Sequence, residues 1–437
     1  MRTVTRSAAV ATAAVCALWI GTGWGRAETA HDPGGIDLAP EIAVDGIAAP
    51  RLEPGGSPPI DAVERARAFK ARALQAERAG AGRAARFAAA KADGNETTTA
   101  VDCTKGKRIQ DAIDQTDGPL VVEVHGICQE NVRIERQRVT LRGQDPATDG
   151  IRGVVASPQP AALEIHHVDG AWVENLSISD GPALGVGLWF SRVGMENCRI
   201  ERNGGSGLFA VADSFLSASG LTVSENAATG ITALQGGEVF CQGCDAVDNV
   251  NWAGRAIRGG VLTYLDSVVS GARGLLAIGV GGSSYVDIDC VSVDVGHPCS
   301  LTANFAAWAA GPATAALFGS GDFSGNLLAE DHAYLYLLGA RQLSTGTTGG
   351  GGPQGNSVSR FSTLLAEPSF FGPVPEQSLI KGDVHVDTFS RAVLQAETVV
   401  DGTIHCDSAG DAWTEPGVVF TPGSTTVGCE HAPPPAP

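Results

Sequence analysis

Positive charge is in short supply in this chain of 437 residues: 30 Lys and Arg stand against 48 Asp and Glu, a formal net charge of −18 at pH 7. So acidic a surface repels nucleic acid and anionic lipid, and neither is an expected partner. Aromatic residues make up only 6% of the chain, so composition alone does not announce a carbohydrate platform. After the first twenty residues no apolar run approaches membrane length, so no integral span is expected once the N-terminal segment is removed. Structural zinc also lacks its ligand set. Cys241 and Cys244 have CxxC spacing, but no second pair or nearby His completes four ligands.

What is present begins with an export signal over residues 1–27. Arg2 and Arg6 precede an apolar stretch from Ser7 to Ile20, and Gly25-Arg26-Ala27 offers small residues for cleavage. The expected location is therefore outside the cytoplasm: periplasmic, cell-surface or extracellular. Cys16 leaves with the signal, so nine cysteines remain in an oxidising compartment and at least one stays unpaired. Proximity along the chain pairs Cys103 with Cys128, Cys290 with Cys299, and Cys406 with Cys429. Residues 28–59 are rich in Pro, Gly and Ala and read as a flexible lead-in. Residues 60–100 form a basic, Ala/Arg-rich arm or linker, with Val63, Ala66, Phe69 and Leu74 near helical spacing and a break at Gly80-Ala81-Gly82. Between Asp61 and Asp93 it carries eight basic and four acidic residues, which suits docking on the acidic body or on an anionic envelope, or a solvated spacer.

The texture changes at Val101. A short helix with Ile109, Ala112 and Ile113 on one face leads into brief β-branched runs, Leu120-Val-Val-Glu-Val124 and Val139-Thr-Leu-Arg142. An internal repeat then fixes the architecture. Segments starting at Glu174, Glu196, Ser219, Gln242, Leu265 and Ile288 align, and their central residues are Leu176, Cys198, Leu221, Cys244, Ser267 and Cys290, at steps of 22, 23, 23, 23 and 23. Two residues on, the column is Ile178, Ile200, Val223, Ala246, Val269 and Ser292. Small or apolar columns with polar residues between them suit side chains stacked inside a narrow solenoid. Asn203, Asn226 and Asn249 follow three consecutive segments, where a left-handed corner and an amide ladder between coils are expected. A second repeat, at a step of twenty, matches Ile380–Asp387 with Val400–Asp407 and puts Cys406 in the inward place of Val386. Thr345 to Gly355 reads as an excursion, and 431–437 as a disordered tail. The fold expected over 101–430 is an all-β, single-stranded right-handed parallel β-helix with a short N-terminal capping helix.

Arg108-Ile-Gln-Asp-Ala-Ile-Asp114, Val121–Gly126, Glu130-Asn-Val-Arg-Ile134 and Val139–Gly143 resemble the opening of pectin-lyase-like β-helix proteins, and the Asn-turn repeats resemble the parallel β-helix repeats of that superfamily. The resemblance covers roughly residues 101 to 410. It implies a fold and leaves activity open, because the superfamily mixes polysaccharide lyases, hydrolases, epimerases and adhesive surface proteins. The motifs that mark its enzymes are missing: Asp-Pro-His-Asp, Asn-Thr-Asp, Gly-His-Gly and Trp-Ile-Asp-His do not occur, and Ala171-Trp-Val-Glu174 echoes only the last.

Weaker candidates remain. Asp180, Arg202, Glu225, Asp248 and Asp294 form a corner column, in which Glu225 and Asp248 fall one coil apart, ~5 Å, near enough to share a cation such as Ca²⁺ or to form a glycosidase-like pair. Solvated turn residues are the plain alternative. Arg255 and Arg258 lie near Trp252, an arrangement suited to a sugar carboxylate, although alternation separates them if both sit in one strand. Glu164 and His166 point to one side of an early strand, where His166 could transfer protons. Trp172, Trp189, Trp252 and Trp308 are expected to serve in packing, an exposed one being a sugar platform. Three functional readings follow: a binder of polysaccharide or an envelope component, a divergent polysaccharide lyase, epimerase or hydrolase, and a structural or adhesive spike. An exposed face lined by Arg and Trp favours binding or catalysis; a uniformly acidic surface favours the spike.

Overall fold

The computed structural model describes residues 96–429 apart from 156, 158, 272–275, 291–298, 320–321, 345–355, 360–361, 368–376, 388–389, 408–409 and 415. The export segment, the lead-in, the arm up to residue 95, the excursion at 345–355 and the tail lie outside these described residues. The chain divides into two units, residues 1–56 and 57–437, and every described residue belongs to the second.

Each coil contributes three strands, and among the described residues every strand pairing between coils is parallel. Sheet A holds fourteen strands in strict chain order, from Thr97–Asp102 to Asp411–Thr414. The remaining 24 strands form two faces, B and C, joined into one hydrogen-bonded set. They merge where Ser300–Ala310 and Asp322–Glu330 run through the corner between B and C as continuous strands. The β-helix begins at Thr97, four residues earlier than the change in composition at Val101.

The helix Ile109–Gln115 caps the N-terminal end and buries Ile109, Ala112 and Ile113. Its N-cap, Arg108, supplies no side-chain bond. The carboxylate of Glu130 replaces it, accepting from the Ile109 N–H at 2.6 Å and the Gln110 N–H at 3.2 Å. Burial raises the Glu130 pKa against these two bonds, which act to lower it.

Inside, equivalent residues sit on one another. Ile178, Ile200, Val223, Ala246 and Val269 are in register from coil to coil, all fully buried. The stack continues through Leu301 rather than Ser292, because Val268 pairs with Ser300 and Val269 with Leu301. The alignment of Ile288–Asp294 therefore slips. Sheet A has already advanced by one residue, since Leu265 pairs with Asp289, and Cys290 ends the strand Tyr285–Cys290. Cys299, which directly precedes Ser300, takes the place after Ser267, and the Cys290–Cys299 disulfide closes the insertion between them. In the C-terminal repeat Ile380 pairs with Val400 and Val386 with Cys406, as the step of twenty requires.

Corners are made by left-handed residues. Between sheets A and B these are Asn175, Asn197, Gly220, Gly243 and Asp266, residue types that tolerate positive φ. Between B and C they are Asp180, Arg202, Glu225 and Asp248, with φ of 54 to 56°. The left-handed position thus falls one residue before the asparagines, not on them. Asn203, Asn226 and Asn249 are instead buried ladder residues. The Asn203 amide donates to Asn226 Oδ1 at 2.8 Å and that of Asn226 to Asn249 Oδ1 at 2.9 Å, while Asn226 also donates to the Ile200 carbonyl.

Disulfides join Cys103–Cys128, Cys290–Cys299 and Cys406–Cys429, and a fourth joins Cys241 to Cys244. Cys198 is the free thiol, buried in the core, where burial pushes its pKa up to about 12.

Two outcomes follow. Asn226→Ala strips acceptors and donors from buried partners on both sides, so thermal or denaturant unfolding should show a loss of about 3 kcal/mol, whereas the adjacent exposed Glu225→Ala should change stability by less than about 0.5 kcal/mol. Cys198 should stay unmodified by iodoacetamide in the native protein and react once unfolded, because thiol reagents attack the thiolate; rapid native labelling would contradict its placement.

Candidate functional site

Three of the four tryptophans expected in packing lie outside the coil interior on one face. On sheet C the outward residues of successive coils run Arg133, Glu164, Gly187, Phe209, Thr232 and Arg255, then continue through Gly279 and Trp308. From Glu164 to Trp308 this line crosses six coil spacings, ~29 Å. Both glycines leave room for a ring. A Cβ at Gly187 would collide with the Trp189 indole, and one at Gly279 with that of Trp252, so each indole lies flat against the strand surface. The fourth ring, Trp172, covers Gly194 on sheet A in the same way.

At the N-terminal end of the line, His166 stacks on Trp189 with centroids 4.4 Å apart and planes within 10°. Its Nε2 lies 3.3 Å from Oε2 of Glu164, a carboxylate only 3% exposed whose other oxygen, Oε1, is buried with no hydrogen-bond partner. Arg133 approaches the same Oε2 at 4.0 Å while pairing with Glu135 at 2.5 Å. Beyond Arg133 opens a cleft of about 750 Å³ against the capping helix, whose wall includes Gln110, Asp114, Arg136 and Gln159. Next to the first stack, exposed His167 and Phe190 form another, with centroids 5.0 Å apart.

A second cluster lies further along. Trp252 and Trp308 stack at 5.5 Å, and the Arg255 guanidinium sits 5.9 Å from the Trp252 ring centre. Among the described residues no carboxylate comes within 4 Å of Arg255, and burial lowers its pKa from the ordinary arginine value. Trp308 Nε1 is buried without an acceptor. A cation and an N–H donor thus stand ready for an oxygen ligand beside stacked apolar rings. At the far end His385 and His405 stack with centroids 4.9 Å apart, one coil above the other.

The other candidates are scattered. Glu225 and Asp248 are exposed corner residues, and among the described residues no group of three His, Cys, Asp or Glu could hold a metal. Arg202, of the same corner column, pairs with Glu201 at 2.5 Å, and Asp180 pairs with Arg152 at 3.3 Å. Asp294 lies outside the described residues. Arg258 follows the strand Trp252–Ile257 in a left-handed turn and is exposed, so it shares no site with Arg255. Sequence reasoning missed the joint placement of Trp189, Phe209, Trp252 and Trp308. The partial signal in the sequence was Gly187, a glycine two residues before Trp189; Gly279 meets Trp252 only across coils.

Residues 122–270 match the family model described as the right handed beta helix region. No curated protein matches the chain. Among solved structures, pectate lyase Pel9A is similar over 78% of this chain and 82% of its own, at 8% identity and a TM-score of 0.38. The Azotobacter vinelandii mannuronan C-5 epimerase AlgE6 A-module matches over 75% and 94%, at 13% identity and a TM-score of 0.30. A pectin methylesterase in complex with a hexasaccharide matches over 74% and 93%, at 9% identity and a TM-score of 0.25. Scores this low add nothing to the strand register itself. On that register and the matched segment, the chain is a right-handed parallel β-helix protein.

Proposed function

We propose that the protein binds a polysaccharide or envelope glycan laid along the outer face of sheet C, parallel to the solenoid axis. The observation that carries this reading is the single line of ring platforms and polar groups from Glu164 to Trp308, with flat indoles over Gly187 and Gly279. Pyranose rings present C–H faces to aromatic rings and hydroxyls at their edges. The two stacks supply the apolar faces, and Arg255 and Trp308 Nε1 supply donors. Four disulfides suit the oxidising location that the N-terminal signal implies.

One observation favours a catalytic variant of this reading. A buried carboxylate beside a histidine, at the end of the same line, can orient the imidazole and take part in proton transfer to or from a bound sugar.

Purified full-length protein incubated with uronate and neutral glycans, with and without Ca²⁺, tests both readings. Binding to at least one glycan is expected. Trp189→Ala and Trp252→Ala should each weaken it about tenfold, the scale of one lost aromatic stack, and Trp172→Ala on sheet A should leave it unchanged. Binding to none, or sensitivity to Trp172 alone, would refute the placement. If unsaturated products or reducing ends appear, Glu164→Gln should abolish them and keep binding. Turnover that survives this change would remove Glu164 from the chemistry.

A further inference from the structure

The outward line of sheet C does not stop at Trp308. It passes through Leu328 and Ser357 to His385 and His405. Val384 and Val386 are buried on either side of His385, and Ile404 and Cys406 on either side of His405. Strand alternation therefore turns both imidazoles outward, where each is half-buried. Their rings stack with centroids 4.9 Å apart and planes within 10°. That separation matches the coil spacing, so the ring faces are turned toward each other along the solenoid axis. The ring edges, which carry the nitrogens, are turned toward solvent. The surroundings are acidic. The two aligned segments, Ile380–Asp387 and Val400–Asp407, contribute Asp383, Asp387, Asp401 and Asp407 against Lys381 alone. Among the described residues no Lys or Arg pairs with any of these four carboxylates. Oδ1 of Asp387 is buried without a hydrogen-bond partner. A group of carboxylates left without paired cations makes the local potential negative and draws a cation toward the imidazole edges.

We propose that His385 and His405 chelate a divalent late-transition-metal ion such as Zn²⁺ on the outer face of sheet C. Imidazole nitrogen suits ions of this class, whereas Ca²⁺ and Mg²⁺ take oxygen ligands. Two bonds of about 2.0–2.1 Å to one tetrahedral ion bring the nitrogens to ~3.4 Å from each other. Rings stacked one coil apart reach that separation when each outer edge tilts inward by ~0.8 Å. Side-chain torsions alone supply this movement, because the backbone is held. The strands of His385 and His405 pair in register, the Thr403 N–H donates to Asp383 Oδ1 at 2.8 Å, and the Cys406–Cys429 disulfide ties the residue after His405 to the next coil. No third His, Cys, Asp or Glu among the described residues closes the set. The remaining coordination positions fall to water or to an oxygen ligand, so the site is open. An ion held in this way ties two adjacent coils together and stabilises the folded register that it binds. The proposal does not depend on what sheet C binds.

Calorimetric titration of the full chain with Zn²⁺, after stripping with EDTA, tests it. One ion should bind per chain. His385→Gln and His405→Gln should each weaken that binding by at least about tenfold, and His167→Gln should leave it unchanged. Carbethoxylation of the unaltered protein by diethyl pyrocarbonate, read by mass, needs no variant. Saturating Zn²⁺ should shield His385 and His405 together and leave the exposed His167 reactive. No uptake at millimolar Zn²⁺, binding kept in both variants, or equal modification with and without the ion would overturn the proposal. Loss in one variant alone would reduce the site to a single imidazole and overturn the chelate.

Discussion

The parallel backbone ladder between successive coils is the constraint on which everything else depends. Each strand bonds to the strand one circuit earlier and one circuit later, so every residue is stacked on the residue holding the same place in the next coil. A side chain must therefore be tolerable as its neighbour's neighbour. Aliphatic residues satisfy this inside by packing, and asparagine satisfies it by passing one amide bond down the column. Charged residues meet it at corners, where solvent takes up their charge.

The same rule explains why the architecture was legible and the site was not. A column in register repeats at the coil length, so Leu176, Cys198, Leu221 and Cys244 reveal the fold as soon as the steps are compared. The repeat is interrupted at Cys290, which stands one residue past its due place in sheet A, and the successor of Ser267 is Cys299, nine residues further along the chain. The left-handed corner also falls one residue before the asparagine expected to form it, since the buried asparagine and its exposed neighbour are both polar and only the backbone tells them apart. The sequence predicts packing roles for Trp189 and Trp252 because a single sequence shows no side for a corner-proximal ring. The glycine beneath each ring fixes its side, and that relation appears only when coils are superposed.

Seen as a solenoid, the molecule assigns different work to its faces. Sheet C gathers rings, an Arg without a carboxylate partner among the described residues, and the Glu164–His166 pair along one axis. Sheet A gathers buried acids and a separate apolar patch. The corner carboxylates that look most like chemistry in the sequence, Glu225 and Asp248, belong to the turns. A repeat fold places function wherever a column stops obeying the rule of self-tolerance.

Register is the claim beneath all of this, and engineered disulfides measure it directly. Phe209 and Thr232 are opposed on adjacent parallel strands of sheet C, whereas Ala233 faces the interior. Phe209→Cys with Thr232→Cys should oxidise spontaneously, seen by mass after alkylation, because strand neighbours fall within disulfide reach. Phe209→Cys with Ala233→Cys should stay reduced. Oxidation of the second pair in place of the first would shift every column by one residue and contradict the architecture.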